Sequence, residues 1–273
     1  MPASIWERVL ANDLQVPPDQ PLDELTTELT IMLGSADPQR RDATAFRVLA
    51  AWIGRGVYDD LLIGLGDGMV TGLTIGLGET GTDSVFRRSW SARVLAGCLE
   101  RNLEIGVVTP DKVLEWGDRL TGWFVREADL RGTVEGKGWA HAIAHGADAI
   151  GSLARSPGLG LNELTVLLDV FADRVLAPTE QHLVHGEPDR LALSTMAILR
   201  RDVVPIGVLD PWVRRIGAGA GRPDETATDF NAQAFLRSLH LQLTLGRRHP
   251  GVRADLVLAL VDTLRGLDAA SFE

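Results

Sequence analysis

The chain has 273 residues, of which 45% are hydrophobic and only 5% aromatic, and its formal net charge is −10. That length and apolar content suffice for a sizeable core, and the abundance of Leu, Ala and Val favours helices over a β-sandwich. The acidic balance, with no dense Lys/Arg run, argues against nucleic acid as a partner.

Residues 3–14 and 22–34 read as short amphipathic helices separated by Pro17-Pro18. Asp37 is a candidate N-cap with Pro38 at the first helical position, and Gly54 and Gly56 end that helix. Ile63-Gly64-Leu65-Gly66-Asp67-Gly68 looks like a phosphate loop, but no β-branched strand precedes it, so a turn between two short helices is expected. The apolar run from Leu61 to Gly78 carries Asp67 and several glycines, which argues against a membrane span. Helical pattern resumes over Ser84–Asn102, where the lone cysteine, Cys98, reads as a small core residue. Thr109-Pro110-Asp111 opens a helix to about Arg126, and a polar link over 127–132 leads to a central helix over roughly 135–154. Ser156-Pro157-Gly158 breaks that helix. Asn162–Ala177 is amphipathic, and a loop with His182 and His185 then feeds a helix ending near Arg201. Asp210-Pro211 is expected to cap the next helix. Gly217–Thr228 reads as a glycine-rich acidic loop, and helices over about 231–246 and 250–267 close the chain. No strand is expected. A dozen helices joined by short turns predict an all-α fold, an α-solenoid or α/α superhelix of stacked helical hairpins, in a single domain spanning 1–273.

Several polar motifs resemble one another's company in a known family. Glu127-x-Asp129-x-Arg131-Gly132 precedes the long segment Lys137-Gly138-Trp139-Ala140-His141-Ala142-Ile143-Ala144-His145-Gly146-Ala147-Asp148. Phe86-x-Arg88-Ser89, His185-Gly186-Glu187-x-Asp189-Arg190 and Asn231-x-x-x-Phe235-Leu236-Arg237 stand in the same order along about 85–245. Together they resemble the bacterial DUF2785 family, although His240 and Pro188 stand where that family commonly has a tyrosine and an acidic residue. The resemblance implies an α-helical, HEAT-like protein without an established activity.

The chemistry concentrates in the central segment. At about 100° per residue, His141, His145 and Asp148 fall on one helical stripe amid small residues. An i, i+4 histidine pair can chelate a metal, with Asp148 as a third ligand, so a divalent metal is the one cofactor this motif admits. Ala142 stands where a His-Glu-x-x-His protease carries its catalytic Glu, which excludes that mechanism. The same residues also suit His/carboxylate acid–base work, or hydrogen bonds between packed helices. Glu127, Asp129 and Arg131 are either a solvated turn or a clamp on the central helix. Glu187 and Asp189 suit a helix N-terminus. Arg88, Arg131, Arg190 and Arg237 either pair internally or face an anionic ligand. Trp139 is a candidate pocket wall, and Asn231 belongs to the same set. The expected function is a soluble, cytoplasmic helical-repeat protein whose central polar pocket binds a small molecule, peptide or protein, with no nucleic-acid or membrane partner. The alternative is an enzyme with a metal or His/carboxylate centre at His141, His145 and Asp148.

Overall fold

A computed structural model of the chain describes residues 4–221 and 226–267. Helices dominate, and the one sheet among the described residues is a two-stranded hairpin. The chain divides into two compact units, Met1–Ala149 and Ile150–Glu273.

In the first unit, α1 (Ile5–Ala11) starts with a capping box in which Ser4 and Glu7 satisfy each other's backbone N–H groups. After α2 (Leu22–Met32), Asp37 caps α3 (Pro38–Arg40), accepting from the Gln39 N–H with Pro38 at the first helical position. The helix then widens into a π-helical segment, Arg41–Phe46, before α4 (Arg47–Gly54) resumes the normal winding. Arg41 opens that segment and is fully buried, its guanidinium 4.1 Å from the centre of the Phe86 ring. Val48, Leu49 and Trp52 of α4 are buried with it.

The glycine-rich stretch after Leu61 is not the expected turn. It is helix α5 (Leu62–Gly72). Its glycines serve close packing, since a Cβ at Gly66 would collide with the Trp116 indole and one at Gly72 with the Ser91 hydroxyl. α5 therefore lies directly on α6 (Ser84–Ile105) and α7 (Pro110–Arg126), while α4 packs on α6 from another side. Thr109 caps α7 by accepting from the Lys112 N–H. Cys98 is buried on α6, and its desolvation pushes the thiol pKa up to about 12.

The central segment also departs from expectation. Residues 135–141 are not helical. Thr133–Val134 (β1) pairs antiparallel with Gly138–Trp139 (β2), in the register Thr133 to Trp139 and Val134 to Gly138. Gly136 and Gly138 take positive φ, which the tight reversal requires and other residues resist. Helix α8 begins only at Ala142 and runs to Ala154.

The second unit contains α9 (Leu161–Leu176), α10 (Glu187–Leu199), α11 (Ile206–Gly219), α12 (Ala227–Leu245) and α13 (Arg253–Leu267). Asp210-Pro211 does not cap α11. The helix starts at Ile206 after Pro205, and Pro211 sits inside it. Of the expected 217–228 loop, Gly217–Gly219 is helical and residues 222–225 lie outside the described residues. Neighbouring helices pack on one another: α10 on α12, α11 on α13 and α9, and α12 also on α13 and α9. Among the described residues no helix is long and apolar enough to cross a membrane.

Candidate functional site

The charged motifs of the first unit build a scaffold. Arg88, one turn into α6, is fully buried and grips Glu127 with two bonds, Nε to Oε2 at 2.6 Å and Nη2 to Oε1 at 2.8 Å. Its Nη1 donates to the carbonyls of Ile75 and Gly76 and to Ser84 Oγ. Glu127, at the end of α7, also accepts from Trp123 Nε1 at 2.9 Å and from the Asp129 N–H at 2.9 Å. Every N–H of the Arg88 guanidinium thus has an acceptor within the fold, and the carboxylate has four donors. A buried ion pair is tolerated only with that kind of saturation. Asp129 repeats the pattern, accepting from Arg131 Nε and Nη2 and from the Gly81 N–H. Arg131 reaches on to the Thr82 carbonyl at 2.6 Å, and its pKa is raised by its hydrogen bonds to Asp129. Arg41 adds a third tie through its Nη2 to the Lys137 carbonyl at 2.7 Å. These bonds fix loop 75–83 and link 127–137, which carry no helix of their own.

That scaffold presents the histidines. The N–H groups of Ala140 and His141 both bond the Gly132 carbonyl, and His141 takes φ +49, left-handed for a non-glycine residue. Such a conformation costs roughly 1–3 kcal/mol and persists only where its surroundings impose it. His141 is therefore not on the helix. It is the residue before it, and its carbonyl accepts the first helical bond, from His145 N at 2.9 Å. Gly146 brings α8 onto α7, because a Cβ there would overlap the Phe124 ring.

His145 lies almost buried on α8, with its Nδ1 2.9 Å from Ser89 Oγ. The Ser89 hydroxyl donates its single proton to the Ala140 carbonyl, which can only accept. Ser89 must then accept from His145, so Nδ1 carries the proton and Nε2 is the basic nitrogen of the neutral ring. The Trp90 ring meets His145 edge-on at 4.7 Å and donates to the Trp139 carbonyl at 3.2 Å. Trp139, on β2, covers the His141 ring at 4.1 Å and remains 44% exposed, while the two imidazoles stand 6.0 Å apart. Asp148, a turn further along α8, lies 4.0 Å from Arg93 Nε. Ser89, Trp90 and Arg93 were not among the sequence-derived site residues. Ser89 carried one usable signal, a hydroxyl beside Arg88 in the Phe86-x-Arg88-Ser89 motif.

The remaining candidates lie in the second unit. Glu187 and Asp189 occupy the first turn of α10, as their charge and position suggested. Glu187 Oε2 accepts from the His185 N–H at 2.7 Å, and Asp189 Oδ1 accepts from Ser238 Oγ at 2.7 Å. Arg190 follows on the same turn with an exposed side chain. Asn231 is buried and ties down the preceding loop, accepting from the Leu183 N–H at 2.7 Å and donating to the Gln181 carbonyl at 2.9 Å. Arg237, exposed on α12, donates to Gln233 Oε1 at 3.3 Å.

Among the described residues no group of three or more His, Cys, Asp or Glu side chains is arranged to hold a metal ion. In the first unit, then, the motifs form a corner of two imidazoles and two indoles on a charged, hydrogen-bonded frame. No curated protein and no solved structure matches the chain. A family profile described as "Protein of unknown function (DUF2785)" matches residues 73–241, from the end of α5 to within α12. That span takes in the whole Arg88–Glu127 frame, the histidine corner and the polar residues of α10 and α12, so the chain belongs to the DUF2785 family.

Proposed function

We propose that the chain is a soluble, cytoplasmic, HEAT-like helical-repeat protein that binds a small molecule or peptide at the Trp139–His141–His145 corner, without nucleic-acid or membrane partners. The observation that carries this reading is the half-exposed Trp139 ring, tilted against an imidazole 4.1 Å away whose residue is held in a left-handed conformation. Strain and exposed aromatic surface are both unfavourable for stability alone, and both suit recognition. The packing of neighbouring helices in the second unit supports the repeat architecture. The test is a thermal-shift ligand screen of the parent against the double variant His141→Gln, His145→Gln. Glutamine keeps a donor for Ser89 and most of the volume. The variant is expected to melt within a few degrees of the parent, corresponding to roughly 1 kcal/mol or less. Ligands that raise the parent's Tm should leave the variant unmoved. A hit that stabilises both equally would place binding elsewhere.

One observation favours a second reading, an acid–base centre. Ser89 fixes the His145 tautomer with Nε2 as the base, the kind of second contact that prepares a histidine for proton transfer. Turnover of any ligand found, abolished by His145→Gln, would establish it. Elemental analysis of tag-free protein separates a metal version of this chemistry from a metal-free one.

A further inference from the structure

We propose a second ligand site in the first unit, an oxyanion pocket built around Arg87 that takes a small carboxylate or phosphate ester with a short apolar body. A cavity of about 400 Å³ is lined by Ile31, Met32, Gly34, Ser35, Arg40, Ile75 and Arg87. No carboxylate lines it. Arg87 is half-buried, and its Nε is buried without a hydrogen-bond partner among the described residues. Its pKa is lowered by desolvation, and no carboxylate or hydrogen bond acts against that shift. Its stem passes over Gly34, and its Nε lies beside Gly72 and the Ser91 hydroxyl, which is likewise buried without a hydrogen-bond partner among the described residues.

The carbonyls of the two segments that line the cavity serve other arginines. Arg41 holds the Ser35 and Ala36 carbonyls and Asp42, and Arg88 holds the Ile75 and Gly76 carbonyls and Glu127. Arg41 thus holds the 35–36 segment and Arg88 the 75–76 segment, while Arg87 lies at the cavity that Ser35 and Ile75 line. Two have carboxylates, and the third has a cavity. A partly desolvated cation without a counter-charge is unfavourable in the empty protein and is relieved by an incoming anion. The guanidinium fork matches the oxygens of carboxylate and phosphate alike, and exposed Arg40 adds a second positive charge at the rim. Ile31 and Ile75, both largely exposed, give the opposite wall an apolar surface that a bare inorganic anion would not use.

The experiment is isothermal titration of the full chain with hexyl phosphate, hexanoate, inorganic phosphate and hexanol. One saturable site is expected for hexyl phosphate or hexanoate, and the tighter of the two identifies the head group. Arg87→Gln should weaken that probe at least tenfold, Arg40→Gln severalfold, and Arg119→Gln, an exposed arginine remote in sequence, not at all. Arg87→Lys, which keeps the charge but loses the fork, should fall between the parent and Arg87→Gln and covers the case in which Arg87→Gln fails to fold. Arg87→Gln without ligand should melt at or above the parent's temperature. Hexanol binding as tightly as the anions overturns the anion site, and inorganic phosphate binding as tightly as hexyl phosphate overturns the apolar wall. Absence of saturable binding by any probe, or binding unchanged in the Arg87 variants, overturns the proposal.

Discussion

Glu127 is the residue on which the first unit's frame turns. Its carboxylate accepts from Arg88, Trp123 and the Asp129 N–H while fully buried. Glu127→Gln keeps the shape but removes the charge, leaving a buried guanidinium uncompensated. Breaking one partner of such a pair costs about 3–5 kcal/mol. Urea unfolding of the variant should show a lower midpoint with little change in slope, the shift multiplied by the slope giving that loss, and a loss below about 1 kcal/mol would mean the pair is not a structural anchor. Cys98 offers a second check at this scale. With its thiol pKa pushed up to about 12 by burial, it should resist alkylation at pH 8 in the native state and react only on unfolding.

At the scale of elements, α5 separates local from long-range information. Gly64 has open space around the position of a Cβ, whereas a Cβ at Gly66 meets the Trp116 indole. Gly64→Ala should therefore stabilise by about 0.5–1 kcal/mol through helix propensity, and Gly66→Ala should destabilise by more than that through overpacking. Thermal melts of the two variants shifting in the same direction would contradict this packing. The same contrast explains what was legible in the sequence. Caps such as Asp37 and Thr109 could be read because the bond they make is two or three residues away. The glycines of α5 were misread as a turn because their reason, an indole on another helix, is far along the chain. Asp210-Pro211 imitated a cap, although Pro205 had already opened the helix. The β1–β2 hairpin escaped because two-residue strands carry no alternation, although Gly136 and Gly138 marked its turn. The nearness of His141 and His145 could be read from their spacing, although His141 precedes the helix instead of sitting on it. Their chemistry could not, because the tautomer depends on Ser89 and the Ala140 carbonyl.

For the whole molecule, the acidic balance sets the pH at which the fold gives way. Asp59 is held below the usual carboxylate range by its hydrogen bonds to Arg101, and Glu79 by the hydroxyls of Ser84 and Thr82. Glu163 is held low by backbone N–H groups, its own and that of Gly160. Burial works against Asp67, but Lys112 and Trp116 outweigh it. Groups whose folded pKa is depressed contribute stability that is present above the unfolded value, about 4, and lost as pH falls through the folded value. Asp42, raised by desolvation, contributes in the opposite sense and alone. The Tm should therefore hold from neutrality to about pH 5 and drop as pH falls below about 4. A Tm that rises over that acid range would show that relief of the −10 net charge outweighs these contacts.

The π-helical turn at Arg41–Phe46 has a consequence for how this chain tolerates change. A residue added to or lost from a helix acts as a phase shift, because everything beyond it is rotated by about 100°. The buried positions Arg41, Thr44, Ala45, Val48, Leu49, Trp52 and Ile53 keep the i, i+3, i+4, i+7 spacing of one continuous face through this segment. A deletion of one residue between 42 and 46 would turn Val48 and Trp52 away from the face of Arg41. Point substitutions in the segment should be absorbed far more easily than a single lost residue, so the reading frame of this turn matters more than its spelling.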